Sequence, residues 1–189
     1  MKRMKGRIIA LAALMVLLLS VSGCQSKEEA ADEYALRYAS VGEIIDTGVI
    51  KAVCPTGWTN AEAYDLTKST RETVNYILEY VKGGKSASEN KPVLRIRYHT
   101  ADEGAKPLSR DLYQDSYEVQ TFTAGKYTWK GFSAVSGEER FAYVSTFSGE
   151  VFLEAWLFMH PDSEIKASLN DQDVYTVFES LIVAEPKKK

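Results

Sequence analysis

Val151-Phe-Leu-Glu-Ala-Trp-Leu-Phe-Met159 is an almost unbroken apolar run. Side chains alternate sides along an extended chain. Val151, Leu153, Ala155, Leu157 and Met159 therefore share one face, and Phe152, Glu154, Trp156 and Phe158 share the other. A strand that is apolar on both faces is covered on both, which predicts a place at the middle of a sheet with a layer on each side. Before it, Phe141, Tyr143, Ser145 and Phe147 alternate in a second strand, and Ser148-Gly149 supplies a tight turn between the two. Tyr117, Val119, Thr121 and Thr123 line one face of a third strand. Gly125 turns that strand into a fourth, which carries Tyr127 and Trp129, and Gly131 reads as a bulge that resets the alternation before Phe132. Pro92 to Tyr98 alternates well enough for a further strand.

The ends of the domain complete the pattern. Gly42–Asp46 and Val49–Val53, joined through Thr47-Gly48, read as a short hairpin closed by the turn Pro55-Thr56-Gly57-Trp58. Residues 59–70 are polar and read as loop. Residues 72–82 suit either a helix, through Val74, Ile77, Leu78 and Val81, or a strand, through Tyr76, Ile77, Tyr80 and Val81 before Gly83-Gly84. Leu108 to Ser116 is predicted to form a short helix. The chain closes with a second helix, capped at Asn170, with Asp171 and Asp173 in its first turn and Val174, Val177, Phe178 and Leu181 as its buried stripe. The prediction is an α+β fold: a single, mainly antiparallel sheet of about six or seven strands with flanking helices.

The first 24 residues carry a separate message. Lys2, Arg3, Lys5 and Arg7 precede an apolar run from Ile8 to Leu19, the layout of an export signal. The run is short for a membrane span, which needs about 20 apolar residues. Val21-Ser22-Gly23-Cys24 resembles the lipobox of bacterial lipoproteins. That resemblance implies cleavage after Gly23, a diacylglyceryl thioether on Cys24, and anchoring in the lipid bilayer at the extracytoplasmic face of the cell membrane. Two acyl chains suit an anchor, because one gives only marginal, reversible binding. Gln25 stands where some Gram-negative lipoproteins carry an inner-membrane retention aspartate. The expected organisation is a signal peptide at 1–23, an anchor and tether at 24–40 with local helix, one domain at 41–184, and a basic tail at 185–189.

Composition narrows the function. Residues 1–23 hold four of the 23 basic residues and none of the 26 acids, so the remaining 166 residues carry a formal charge of −7. That balance argues against a nucleic-acid partner, which calls for a basic footprint. With Cys24 acylated, Cys54 has no disulfide partner and reads as a small buried hydrophobe. The only histidines, His99 and His160, are isolated, and no Gly-x-Ser-x-Gly elbow accompanies them. His99, Asp102 and Glu103 lie close together without metal-ligand spacing. Asp162/Glu164 and Asp171/Asp173 lack the glycine and ligand order of a calcium loop. Gly83-Gly84 lacks the Lys-Ser/Thr of a phosphate loop. Trp58, Trp129 and Trp156 read as core aromatics, with a sugar or peptide platform as the alternative. No catalytic, cofactor or metal residue is assigned.

Three stretches together resemble the PsbP-like α/β/α sandwich, the family of PsbP and DcrB-type proteins: Gly48-Val-Ile-Lys-Ala-Val-Cys-Pro-Thr-Gly-Trp58, Trp129-Lys-Gly-Phe132, and Ser168-Leu-Asn-Asp-Gln-Asp-Val-Tyr-Thr-Val-Phe-Glu-Ser-Leu181. The resemblance spans roughly residues 41–184. It implies a strand ending in a Pro-x-Gly-Trp turn, a Trp-x-Gly-Phe strand in mid-sheet, and a closing helix, and it favours a strand at 72–82. The fold mostly hosts binding and assembly proteins without shared catalytic residues, and fold analogy transfers no site. The functional expectation is a non-catalytic binding or assembly module of unknown ligand. The alternative is a lipid-anchored hydrolase of envelope glycans or peptides.

Overall fold

The computed structural model describes residues 27–61, 78–85, 89–100, 103–149 and 151–184. The anchor residue Cys24, the 72–77 part of the ambiguous segment, Asp102 and the 185–189 tail lie outside them. The chain divides into two compact units, Met1–Arg37 and Tyr38–Lys189. The described part of the first is helix α1, Lys27–Tyr38, whose last residue belongs to the second unit. Its Ala, Glu and Leu content favours helix. Among the described residues no helix is long and apolar enough to cross a membrane.

The second unit is α+β. Among the described residues seven strands, β3 (Trp58–Asn60), β4 (Leu78–Lys82), β5 (Val93–Thr100), β6 (Ser116–Ala124), β7 (Tyr127–Ser136), β8 (Glu139–Ser148) and β9 (Val151–Met159), form one antiparallel sheet in the order β3-β4-β5-β9-β8-β7-β6. The doubly apolar strand β9 is the fourth of seven, flanked by β5 and β8 over its whole length. Both of its faces are covered. Leu153, Ala155 and Leu157 join the larger core with helix α2, Gln172–Ser180, which contributes Val174, Val177 and Phe178. Trp156 and Phe158, on the opposite face, pack on a second cluster of Phe132, Ala134, Phe141 and Tyr143.

Six details differ from the sequence reading. Thr59 and Asn60, at the start of the segment read as loop, pair with β4 as part of β3. The early hairpin, β1 (Gly42–Asp46) and β2 (Ile50–Pro55), leaves the main sheet and forms a second sheet with β10 (Ile182–Val183). It can do so because β2 is buried on both faces, turning Ile50, Ala52 and Cys54 to the main core while its Val53 amide donates to Ser180 Oγ of α2 at 2.9 Å. The segment 108–116 holds only a 3₁₀ turn, Arg110–Leu112, with no buried residue to pay for a longer helix. Asp171, not Asn170, is the residue with extended backbone that caps α2. The register shift lies in β6, between Val119 and Phe122, whereas β7 pairs with β8 without interruption through Gly131. Trp129 and Phe132 need no bulge, since they sit three apart and serve opposite faces. Finally, the Trp-x-Gly-Phe strand is β7, next to the edge strand rather than in mid-sheet. Within 72–82, the described Leu78–Lys82 is a strand.

Candidate functional site

The site residues fall into a clasp, a groove and a polar cluster. The clasp explains the Pro-Thr-Gly-Trp turn. Gly57 adopts φ +87°, and its carbonyl accepts from the Gly83 amide at 2.9 Å, which brings Trp58 beside the start of α2. There the Trp58 indole donates to Asp173 at 2.7 Å, and Lys82 Nζ lies 2.8 Å from the same carboxylate oxygen and 3.4 Å from Asp171. Burial would raise the Asp173 pKa, but the bonds from Lys82 and Trp58 outweigh it and hold the carboxyl below its usual range. Asp171 and Asp173 are thus occupied by a cation, an indole and backbone amides.

The groove lies on the α2 side of the main sheet. Its floor is Ser133, Ala142, Leu157 and Met159, its outer wall is β6 from Tyr117 to Phe122, and its inner wall is Ser168–Asn170. The volume is about 550 Å³. A second depression of about 360 Å³ continues from it, sharing Arg140 and Met159 and running past His160 to Ala167. The strand pattern accounts for the opening. Helix α2, nine residues long, meets the outer strands only near the β6–β7 turn, where Phe178 packs on Phe122 and Trp129 and Tyr175 donates to the Thr123 carbonyl, so it does not cover the Tyr117–Thr121 part of β6. Tyr117, 62% exposed, stands at its rim, and β6 is the terminal strand of the sheet.

The polar cluster lies on the opposite face of β9 and β5. Among the described residues Glu154 is the only buried carboxylate, 5% exposed. One of its oxygens accepts from the Tyr143 hydroxyl at 2.7 Å, and the other lies 2.8 Å from His99 Nε2 and 3.9 Å from Arg97. The remaining ring nitrogen of His99 is 2.9 Å from Glu103. The Tyr143 hydroxyl also accepts from the Leu108 amide at 2.9 Å. The bond to Glu154 raises the His99 pKa above its ordinary value; burial opposes the shift and Glu103 adds to it. Burial, reinforced by Glu154, raises Tyr143. Guanidinium faces complete the surface: Arg97 lies 5.1 Å over Trp156, and Arg95 lies 5.0 Å over Phe158.

The remaining sequence candidates scatter. Cys54 is buried in the main core, and burial pushes its thiol up to about 12. Its strand borders a shallow hollow of about 610 Å³ lined by β1, β2 and β3. His160 lies in the second depression, far in the chain from His99, and accepts from the Asp162 amide at 3.3 Å. Of the three tryptophans, Trp129 is wholly buried, Trp58 is buried in the clasp and Trp156 is half-buried beneath Arg97. Among the described residues no group of three or more His, Cys, Asp or Glu side chains is arranged to hold a metal ion. Sequence reasoning missed Glu154, His99 and Tyr143 as a unit; the available signal was a lone acid in an apolar strand.

No protein-family model and no curated protein matches the chain. Among solved structures it is similar to the solution structure of cyanobacterial PsbP (CyanoP) from Synechocystis sp. PCC 6803. The two share 12% identity over 75% of this chain and 92% of that one, with a TM-score of 0.43.

Proposed function

We propose that this protein is a lipid-anchored extracytoplasmic bacterial lipoprotein whose PsbP-like α+β domain is a non-catalytic binding or assembly module. The observation that carries the binding role is the groove: an open channel over the β6–β8 end of the sheet, lined by both apolar and polar side chains. Binding sites take this mixed form, with apolar walls for affinity and a few polar groups for orientation. Glu154, by contrast, is turned to the other face, and each of its oxygens already has a partner within the protein. The anchor rests on the leader, where Cys24 follows a short apolar run and small residues.

Two linked experiments test this reading. A photocrosslinking residue at exposed position 117 should capture one reproducible adduct in intact cells, and Thr121→Trp, which narrows the groove from its exposed wall, should abolish it. No adduct, or one indifferent to Thr121→Trp, would refute the binding role. Cys24→Ala should remove labelling by a fatty-acid probe, and labelling that persists defeats the anchor.

A further inference from the structure

The segment 103–113 lies over the aromatic cluster of the second face, with Leu108 and Tyr113 packed against Phe132, Phe141 and Tyr143. Tyr113 meets Phe141 edge-on at 5.2 Å and Phe132 at 5.8 Å between ring centres. At its far end Ser116 of β6 donates to the Tyr113 and Arg110 carbonyls, and at its near end Thr100 of β5 donates to Glu103 at 3.3 Å. Two further ties reach the middle of the face, one from Glu103 to His99 and one from the Leu108 amide to the Tyr143 hydroxyl. The latter two meet at a single carboxylate, because His99 and Tyr143 both bond Glu154.

We propose that residues 103–113 form a pH-responsive strap over this aromatic surface, closed while His99 holds two protons and loosened from its Glu103 end when one is lost. The argument is one of donors and acceptors. Carboxylates flank both ring nitrogens of His99, at 2.8 and 2.9 Å. An ionised carboxylate only accepts, and only the imidazolium donates from both nitrogens. A neutral ring must turn a lone pair towards one of the two acids, and that contact is repulsive.

Burial decides which contact fails. The Glu154 side chain is 7% exposed and that of Glu103 is 52% exposed. Water can replace the histidine at Glu103, whereas a buried carboxylate stripped of its donor costs far more. The retained proton therefore stays on Nε2 and the His99–Glu103 tie opens, leaving that end of the strap to the exposed, long bond from Thr100. The groups facing His99 support the same order. Glu154 on β9 and Glu103 on the strap favour the cation, and Arg97 on β5 approaches Glu154 only at 3.9 Å. Tyr143 on β8 stays a neutral donor to Glu154 in this range, and Phe152 stacks on the ring at 5.5 Å without charge.

Hydrogen exchange of the full-length protein across pH 6 to 9, corrected for intrinsic exchange rates, tests the strap. Protection over 103–113 should fall by up to about tenfold per pH unit once His99 titrates, the limit for loss of one proton. Protection of β9 should stay constant. Glu103→Ala should leave the strap weakly protected at every pH without lowering the global melting temperature. A wild-type strap equally protected at pH 6 and pH 9 would overturn the proposal, and so would a Glu103→Ala variant that keeps the wild-type pH profile.

Discussion

Removing Asp173 tests whether the Trp58 turn and α2 are held together as the geometry says. The Trp58 indole donates to this carboxylate at 2.7 Å, and Lys82 lies 2.8 Å from the same oxygen. A hydrogen bond to a charged acceptor contributes about 1.5–3 kcal/mol. The Lys82 pair is partly exposed, 22% and 25% at the two side chains, so solvent screening reduces it to about 0–1 kcal/mol. Asp173→Ala should therefore cost about 1.5–4 kcal/mol, against about 5–15 kcal/mol for a whole domain. Guanidinium unfolding followed by far-ultraviolet circular dichroism should show a lower midpoint with an unchanged slope. The cycle with Trp58→Phe isolates the indole bond and should return a coupling of about 1.5–3 kcal/mol. The effect also has a pH signature. The Asp173 carboxyl is held below its usual range, so its contribution is complete above the unfolded value near 4. It is lost as pH falls through the lower folded value, and the gap between wild type and Asp173→Ala should close in acid. A coupling below about 0.5 kcal/mol, within the additivity expected of independent sites, would refute the clasp.

Two further outcomes follow from the core. A Cβ at Gly131 would meet the Tyr143 carbonyl oxygen at 1.8 Å and Val144 Cα at 2.7 Å, both backbone atoms of β8. Gly131→Ala should therefore destabilise by about 3 kcal/mol or more, the top of the overpacking range, and an unfolding midpoint close to wild type would contradict the register. Cys54, buried and with its thiol pushed up to about 12, should resist a disulfide reagent at pH 8 in the native protein. After denaturation the anchored protein should release one equivalent; a second equivalent would mean that Cys24 is free.

Much of the fold was legible because it is local. The two parities of Val151 to Met159 specified a central strand, and the strand is fourth of seven with a cluster on each face. The stripe Val174, Val177, Phe178 and Leu181 specified the buried side of α2, and all four are at most 2% exposed. What escaped depends on tertiary pairing. The departure of β1 and β2 to a second sheet turns on β10, a two-residue strand about 130 positions later in the chain, too short to show a pattern. Gly131 reads as a bulge in the sequence because glycine within a strand often marks one. Gly131 instead answers the close approach of β8, and the extra residue sits between Val119 and Phe122. His99 looked isolated because its acceptor on β9 lies 55 residues away, and only the pairing of His99 with Phe152 puts Glu154 within reach.

That pairing also shows why Glu154 is tolerated at the centre of the sheet. A carboxylate in an apolar strand is costly unless charge and hydrogen bonds compensate it. Here Tyr143 supplies one donor and His99 another, with the Arg97 guanidinium 3.9 Å away. Replacing such a network by apolar residues is often neutral or stabilising, so stability alone does not account for it. Apolar replacements would, however, remove the site through which Glu103 and Leu108 bind the sheet. The two faces of β9 thus divide the work. Leu153, Ala155 and Leu157 bury area against α2, whereas Glu154 gives up some of that gain to hold a specific segment in a specific place through groups that respond to protons.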